Sequence, residues 1–208
     1  MTTAVRTILL GAKETLDLGP KAALIIVDVQ NDFADPKGSL YVKGGEMVVP
    51  VINEQVEAAR AAGALVVYTQ DWHPTSTPHF QKDGGIWPVH CVKETWGAEL
   101  HPDLEVVGQS VKKGADGEDG YSAFSVRDPR TGETASTQLE AVLRERGVQA
   151  VTVCGLATDY CVVETVLDAR RLRFETEVLS PAIRAVDLHP GDGDRALERM
   201  REAGAVVG

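Results

Sequence analysis

The sequence predicts an α/β fold: a doubly wound, mostly parallel sheet of five or six strands with helices on both faces. Three observations lead there. Short, continuous apolar runs at 22–27, 64–69 and 150–154 suit strands buried on both faces. Segments with apolar residues at helical spacing alternate with those runs, which is the pattern of βαβ units. The composition is that of a globular chain, with 43% hydrophobic and 25% charged residues, and 20 Gly and 10 Pro among 208 residues fall far below low-complexity levels. A single domain over 1–208 is expected, since one hydrophobic core commonly serves chains up to about 250 residues.

Residues 1–20 read as an N-terminal extension closed by Gly19-Pro20. The first strand is 22–27, ending at Asp28. Over 46–62, Val48, Val51, Ile52, Val56 and Ala59 share one helical face, and Gly63 supplies a stop. The second strand is 64–69. A long loop rich in Pro, Trp and His follows from Asp71 to about Val106, then a short third strand over 111–113 and a Gly/Asp-rich segment. The stretch 127–136 reads as a turn-rich loop, 137–146 as a helix stopped by Gly147, and 150–154 as the fourth strand. A helix over 158–173, a fifth strand over 176–179, a helix over 194–203 and a last short strand in 204–207 complete the pattern.

Charge and cysteine usage exclude several classes. The net charge of −10 and pI near 5.0 oppose phosphate backbones and anionic lipid, so neither nucleic acid nor membrane is an expected partner. No apolar run approaches the roughly 20 residues that span a bilayer, and the first 20 residues do not form a secretory signal. Three cysteines, Cys91, Cys154 and Cys161, without a C-x-x-C motif suit a reducing cytoplasm. The sequence leaves a homo-oligomer open.

Folds of this class bind ligands at the carboxyl ends of their strands, and the residues with chemistry sit there. Cys161 follows the fourth strand through Gly155-Leu-Ala-Thr-Asp-Tyr. With Thr158 as N-cap it falls in the first turn of a helix, where the dipole and free N–H groups favour a thiolate and can hold an oxyanion. From the helix start alone, a buried structural thiol is the commoner alternative. Asp28, partly desolvated at a strand end, suits a general base, with a turn or cap Asp as a close rival. Lys113 either brings positive charge to the site or is a solvated lysine. Asp71, His73, His79 and His90 supply the carboxylate and imidazoles that a divalent ion takes, Zn²⁺ first, Fe²⁺ or Mn²⁺ next; ordinary loop histidines are the alternative. Phe33 and Trp87 either line an aromatic pocket or pack in the core.

Together these segments resemble the nicotinamidase branch of the isochorismatase-like cysteine hydrolases. The matching pieces, in order, are Ile25-Ile-Val-Asp-Val-Gln-Asn-Asp-Phe33, Thr69-Gln-Asp-Trp-His-Pro74, Trp87-Pro-Val-His-Cys91, Lys113-Gly-Ala115, Tyr121-Ser-Ala-Phe124 and Gly155-Leu-Ala-Thr-Asp-Tyr-Cys-Val162. The resemblance spans roughly 23–179. It implies a catalytic triad of Asp28, Lys113 and Cys161. It implies metal ligands Asp71, His73 and His90, and an oxyanion hole from the N–H groups of Ala157 and Cys161, with a cis peptide between Leu156 and Ala157. Phe33 and Trp87 match residues that sandwich a pyridine ring, and Tyr121 joins them as a substrate contact. His79, eight residues after Asp71, has a spacing found in only one branch, so its part in ligation is left open. No role is carried onto the acidic segment Asp116-Gly-Glu-Asp-Gly120.

The implied activity is hydrolysis of nicotinamide to nicotinate and ammonia through a cysteine thioester, with one divalent metal binding the pyridine nitrogen. The alternatives are a related amidohydrolase acting on another small carboxamide or ureido compound, or a non-catalytic binding module on the same fold. An aspartyl-phosphate enzyme ranks lower, because Asp28-Val-Gln lacks the D-x-D arrangement. The two adjacent lysines are distinguished by strand geometry: neighbouring side chains point to opposite faces, so Lys112 is expected to face away from Lys113.

Overall fold

The computed structural model describes residues 8–10, 13–15 and 18–208. Two short strands, β1 (Ile8–Leu10) and β2 (Lys13–Thr15), pair antiparallel; the rest of the expected extension before Leu18 lies outside the described residues. The succeeding elements are β3 (Ala22–Val27), α1 (Asn31–Ala34), α2 (Val48–Ala62), β4 (Leu65–Asp71), β5 (Gln109–Lys113), β6 (Ser125–Arg127) and β7 (Thr134–Ser136). Then come α3 (Leu139–Glu145), β8 (Ala150–Leu156), α4 (Val163–Arg171), β9 (Glu175–Arg184), α5 (Asp192–Glu202) and β10 (Val206–Val207).

Six strands form one parallel sheet in the order β10-β9-β8-β3-β4-β5. All six residues of β3 are buried, as its unbroken apolar run requires. Alternate residues feed two cores. Leu24 and Ile26 meet the apolar face of α2, built from Val48, Ile52, Val56 and Ala59. Ala23, Ile25 and Val27 face the opposite core, with Leu139 and Leu143 of α3, Val163 and Val166 of α4 and Met200 of α5. Burying each Val, Leu or Ile contributes about 1.5–3 kcal/mol before conformational entropy is counted. Gly63 ends α2 in the left-handed conformation, φ 75°, as its position predicts.

The chain runs from β3 outward through β4 to β5, then returns to the other side of β3 as β8 and continues to β9 and β10. The winding direction therefore reverses between β3 and β8, and the crevice at their carboxyl ends is the place where such sheets take ligands. Close approach is enforced there by Gly155, φ 113°, where a Cβ atom would stand 2.1 Å from the Val27 carbonyl oxygen.

Several expected boundaries shift. The strand expected over 176–179 is the much longer β9, and the one expected over 150–154 runs on to Leu156. The expected loop over 127–136 is bracketed by the β6–β7 hairpin. The helix expected from Thr158 opens with a wide π-helical turn, Thr158–Val162, before α4. Its N-cap is Ala157, not Thr158: the Ala157 carbonyl accepts from the N–H groups of Tyr160 at 3.1 Å and Val162 at 3.0 Å, so backbone closes the turn without a side-chain cap. Among the described residues no helix is long and apolar enough to cross a membrane.

Candidate active site

Three neighbouring strands deliver charged side chains to one buried point. Asp28 follows β3, while Asp71 and Lys113 are register partners at the ends of β4 and β5. The Lys113 Nζ lies 2.7 Å from Asp28 Oδ2 and 2.9 Å from Asp71 Oδ1, and it also donates to the Gly120 carbonyl. All three residues are buried. One ammonium between two carboxylates leaves a net negative charge, and that arrangement requires hydrogen bonds to hold it. The Thr69 hydroxyl donates to Asp28 Oδ1 at 2.6 Å. Gln30 accepts from the Asp71 N–H at 2.8 Å and donates to the carbonyls of Asp71 and Ala98. Asp28 itself takes a positive φ of 50°, an uncommon conformation for a non-glycine residue.

The electrostatics separate the two carboxyls. Burial pushes Asp28 up to about 6, against the opposing pull of Lys113. Burial acts the same way on Asp71, but there Lys113, His73 and His90 outweigh it and hold the carboxyl below the usual range. Burial also opposes the charge on Lys113, yet the two carboxylates keep it firmly protonated.

Cys161 sits on the π-helical turn, buried, with its Sγ and a carboxylate oxygen from each of Asp28 and Asp71 all within 4.8 Å of one another. Burial raises the thiol well above its usual range, Lys113 opposes this, and Asp28 and Asp71 add to it. The thiol is held protonated next to a carboxylate able to take its proton. The expected cis peptide between Leu156 and Ala157 is present.

His73, His79 and His90 bring ring nitrogens within 4.8 Å of one another. Asp71 Oδ2 lies 3.8 Å from His73 Nε2. His73 is fully buried, and neither of its ring nitrogens has a hydrogen-bond partner. Such orphaned buried polar atoms are costly unless a further group satisfies them. The Nδ1 of His90 lies 2.7 Å from the Pro88 carbonyl, and the Nδ1 of His79 lies 2.7 Å from Asp119 Oδ1. In each ring this leaves Nε2 for the cluster, and a ring nitrogen engaged by a carbonyl or carboxylate is the usual support of a metal-ligating imidazole. Burial lowers His90 to about 4, keeping it neutral as a ligand must be. One carboxylate and three imidazoles thus fit a divalent cation. His79, whose spacing left its part open, stands inside this cluster.

One cavity joins the two groups. Asp71, His79 and His90 line it beside Ala157 and Cys161, and Phe33 and Trp87 contribute walls. Tyr121 also lines it, its hydroxyl accepting from Trp87 Nε1 at 2.8 Å. Lys112 points to the other face of β5 and is exposed, as the strand alternation predicts; its Nζ stands 3.4 Å from the Trp72 ring centre.

Sequence reasoning missed the residues that hold this site in place. Thr69 and Gln30 lie inside recognised segments but had no role. Asp119 and Gly120, in the acidic segment given none, touch His79 and Lys113 respectively. The alternation of β5 marked Lys113, but nothing local pairs a loop carbonyl with a lysine seven residues earlier.

The Isochorismatase domain family matches residues 22–208. The nicotinamidase/pyrazinamidase of Mycobacterium tuberculosis is 41% identical over 190 residues, covering 87% of this chain and 95% of that protein. The crystal structure of a pyrazinamidase of Pyrococcus horikoshii in complex with zinc superposes with a TM-score of 0.81 at 39% identity, covering 91% of this chain and 99% of that one. PnC1 from L. infantum in complex with nicotinate gives a TM-score of 0.82 at 36% identity, covering 91% and 92%. With the match running from the first residue of β3 to the last residue of the chain, and the fold shared with these structures, this chain belongs to the isochorismatase family.

Proposed function

We propose that the chain is a nicotinamidase, hydrolysing nicotinamide to nicotinate and ammonia. The observation that carries this reading is the convergence of a buried thiol, a buried Asp–Lys pair and an imidazole–carboxylate cluster on one aromatic cavity. The names of the relatives and the nicotinate in the L. infantum structure support the same substrate class.

In this mechanism Asp28 takes the Cys161 proton as the sulfur attacks the amide carbon. The N–H groups of Ala157 and Cys161 hold the oxyanion. Lys113 keeps Asp28 placed and offsets the charge on the pair. Asp28 then gives its proton to the departing nitrogen, and C–N cleavage releases ammonia and leaves a Cys161 thioester. Asp28 next accepts a proton from water as the water oxygen attacks the thioester. Collapse releases nicotinate, and the proton returns to Cys161. Phe33 and Trp87 hold the ring between them, with Tyr121 buttressing Trp87.

Asp71, His73 and His90, with His79 as a fourth, are the residues we assign to one divalent ion, zinc first, with iron or manganese compatible with the same donors. When bound, the ion supplies a Lewis-acidic anchor for the ring nitrogen. The cytoplasm is the compartment we assign, supported by three buried free thiols.

The test is ammonia release from nicotinamide beside non-aromatic carboxamides and ureido compounds. Preferential turnover of nicotinamide is expected. Preferential turnover of a ureido compound would move the chain to another branch of the family, and no ammonia from any amide would make it a binding module.

A further inference from the structure

We propose that Asp119 is the positioning residue that makes His79 a ligand of the divalent ion, so that the acidic loop 116–120 sets how tightly the ion is held. The inference rests on the reading of the imidazole cluster as a cation site. His79 stands on an irregular stretch, with Thr77 and Gly85 packed about its own backbone. Such a loop does not by itself fix which way a ring points. Asp119 is better anchored. Its N–H donates to the Arg127 carbonyl at 2.8 Å and its carbonyl accepts from the Arg127 N–H at 2.9 Å, tying it to β6. The Thr77 hydroxyl donates to the Gly117 carbonyl at 2.8 Å, joining the same two loops.

From that anchor Asp119 Oδ1 reaches His79 Nδ1 at 2.7 Å. In the tautomer we assign, Nδ1–H donates to the carboxylate and the Nε2 lone pair is left for the cluster. The bond is shielded from water: the His79 side chain is only 5% exposed and its ring stacks on His73 with centres 4.9 Å apart. His90 is held in the same manner by a neutral carbonyl. A carboxylate partner is the stronger hydrogen-bond acceptor and makes the ring the more basic ligand. The next two residues extend the arrangement: Gly120 accepts from Lys113, and the Tyr121 hydroxyl accepts from Trp87.

The experiment measures Zn²⁺ affinity by competition with a chromophoric chelator, and the visible absorption of the Co²⁺-loaded protein, in the full chain. Asp119→Ala should weaken Zn²⁺ binding about 10–100-fold, the usual range for an outer partner of a ligand, and alter the Co²⁺ spectrum. Asp119→Asn keeps an acceptor oxygen without the charge and should bind Zn²⁺ at an affinity between those of wild type and Asp119→Ala; if the Ala variant does not fold, an Asn variant that binds as tightly as wild type would overturn the role of Asp119. In a His79→Ala background, Asp119→Ala should cost nothing further, because the two residues act as one unit. Wild-type protein that binds neither ion would overturn the cation site and the proposal with it. Tight binding by wild type and by Asp119→Ala alike, or losses that add in the double variant, would overturn the role of Asp119 and leave the cation site standing.

Discussion

Asp28, Asp71 and Lys113 leave three adjacent strands of one buried sheet, whereas His79, His90 and Trp87 stand on a stretch, 72–108, in which the described residues form single-turn helices and isolated bridges. The strand-borne group is placed by register: Asp71 and Lys113 are partners across β4 and β5, so their side chains emerge together. The loop-borne group is placed by side chains that satisfy backbone. Asp32 accepts from the Cys91 N–H at 2.7 Å, Asn31 donates to the Trp96 carbonyl at 2.7 Å, and Gln30 and Gln70 both donate to the Ala98 carbonyl. One region is held by apolar burial and ladder bonds, the other by polar residues that a hydropathy pattern counts as loop. We assign proton transfer to Asp28 with Lys113 at the strand ends, and ring recognition to the loop-borne group together with Asp71.

If the strand-end pair Asp28–Lys113 serves the Cys161 thiol, the largest losses should follow changes at these three residues. Cys161→Ala should cut steady-state ammonia release by more than about 10⁴-fold with an unchanged far-UV spectrum, since a methyl fits the space. Lys113→Ala should lose roughly 10²–10⁴ in rate and also about 3–5 kcal/mol of stability in denaturant unfolding, because two buried carboxylates lose their shared cation. Near wild-type rates in either variant would detach the strand ends from the chemistry.

The loop-borne group should be sensitive to the ion. Chelation, followed by assay, is expected to suppress turnover, with recovery on adding Zn²⁺, Fe²⁺ or Mn²⁺. Full activity in protein that elemental analysis finds free of metal would separate the cluster from the reaction.

What the sequence made legible divides along the same line. The run 22–27 coincides with β3, and the 48–59 periodicity with the buried face of α2, because burial on a regular element leaves a repeating trace. Site residues at strand ends inherited that legibility. The surroundings of Cys161 did not: a helix N-terminus favours a thiolate, whereas burial, with Asp28 and Asp71 beside it, pushes the thiol up. Thr158 was expected as a cap for the same local reason, and the wide turn closed on the Ala157 carbonyl. Asp119 was invisible because its partner lies 40 residues away on an irregular segment.

A smaller effect sharpens the account of the base. The Thr69 hydroxyl stabilises ionised Asp28. Asp28 accepts a proton only when ionised, so kcat/KM should fall as the pH drops through about 6. Thr69→Val removes a donor to the anion, raising its pKa, so that acid limb should move to higher pH while the rate at alkaline pH falls by about tenfold or less. A pH–rate profile in which the limb stays fixed or moves down would assign it to another group. The least effect is expected of Lys112→Ala. It should keep wild-type turnover and lose about 0.5–1 kcal/mol of stability with the Trp72 contact, read from denaturant unfolding.

The two groups act on one molecule only if the ring nitrogen is read at one end of the cavity while the amide is cut at the other. The most direct measurement is kcat/KM for nicotinamide against benzamide, which differs only in lacking that nitrogen, in wild type and in His73→Ala. The account predicts a preference for nicotinamide of about 10²-fold or more in wild type, collapsing toward equality in the variant. Equal rates on the two amides in wild-type protein would contradict it.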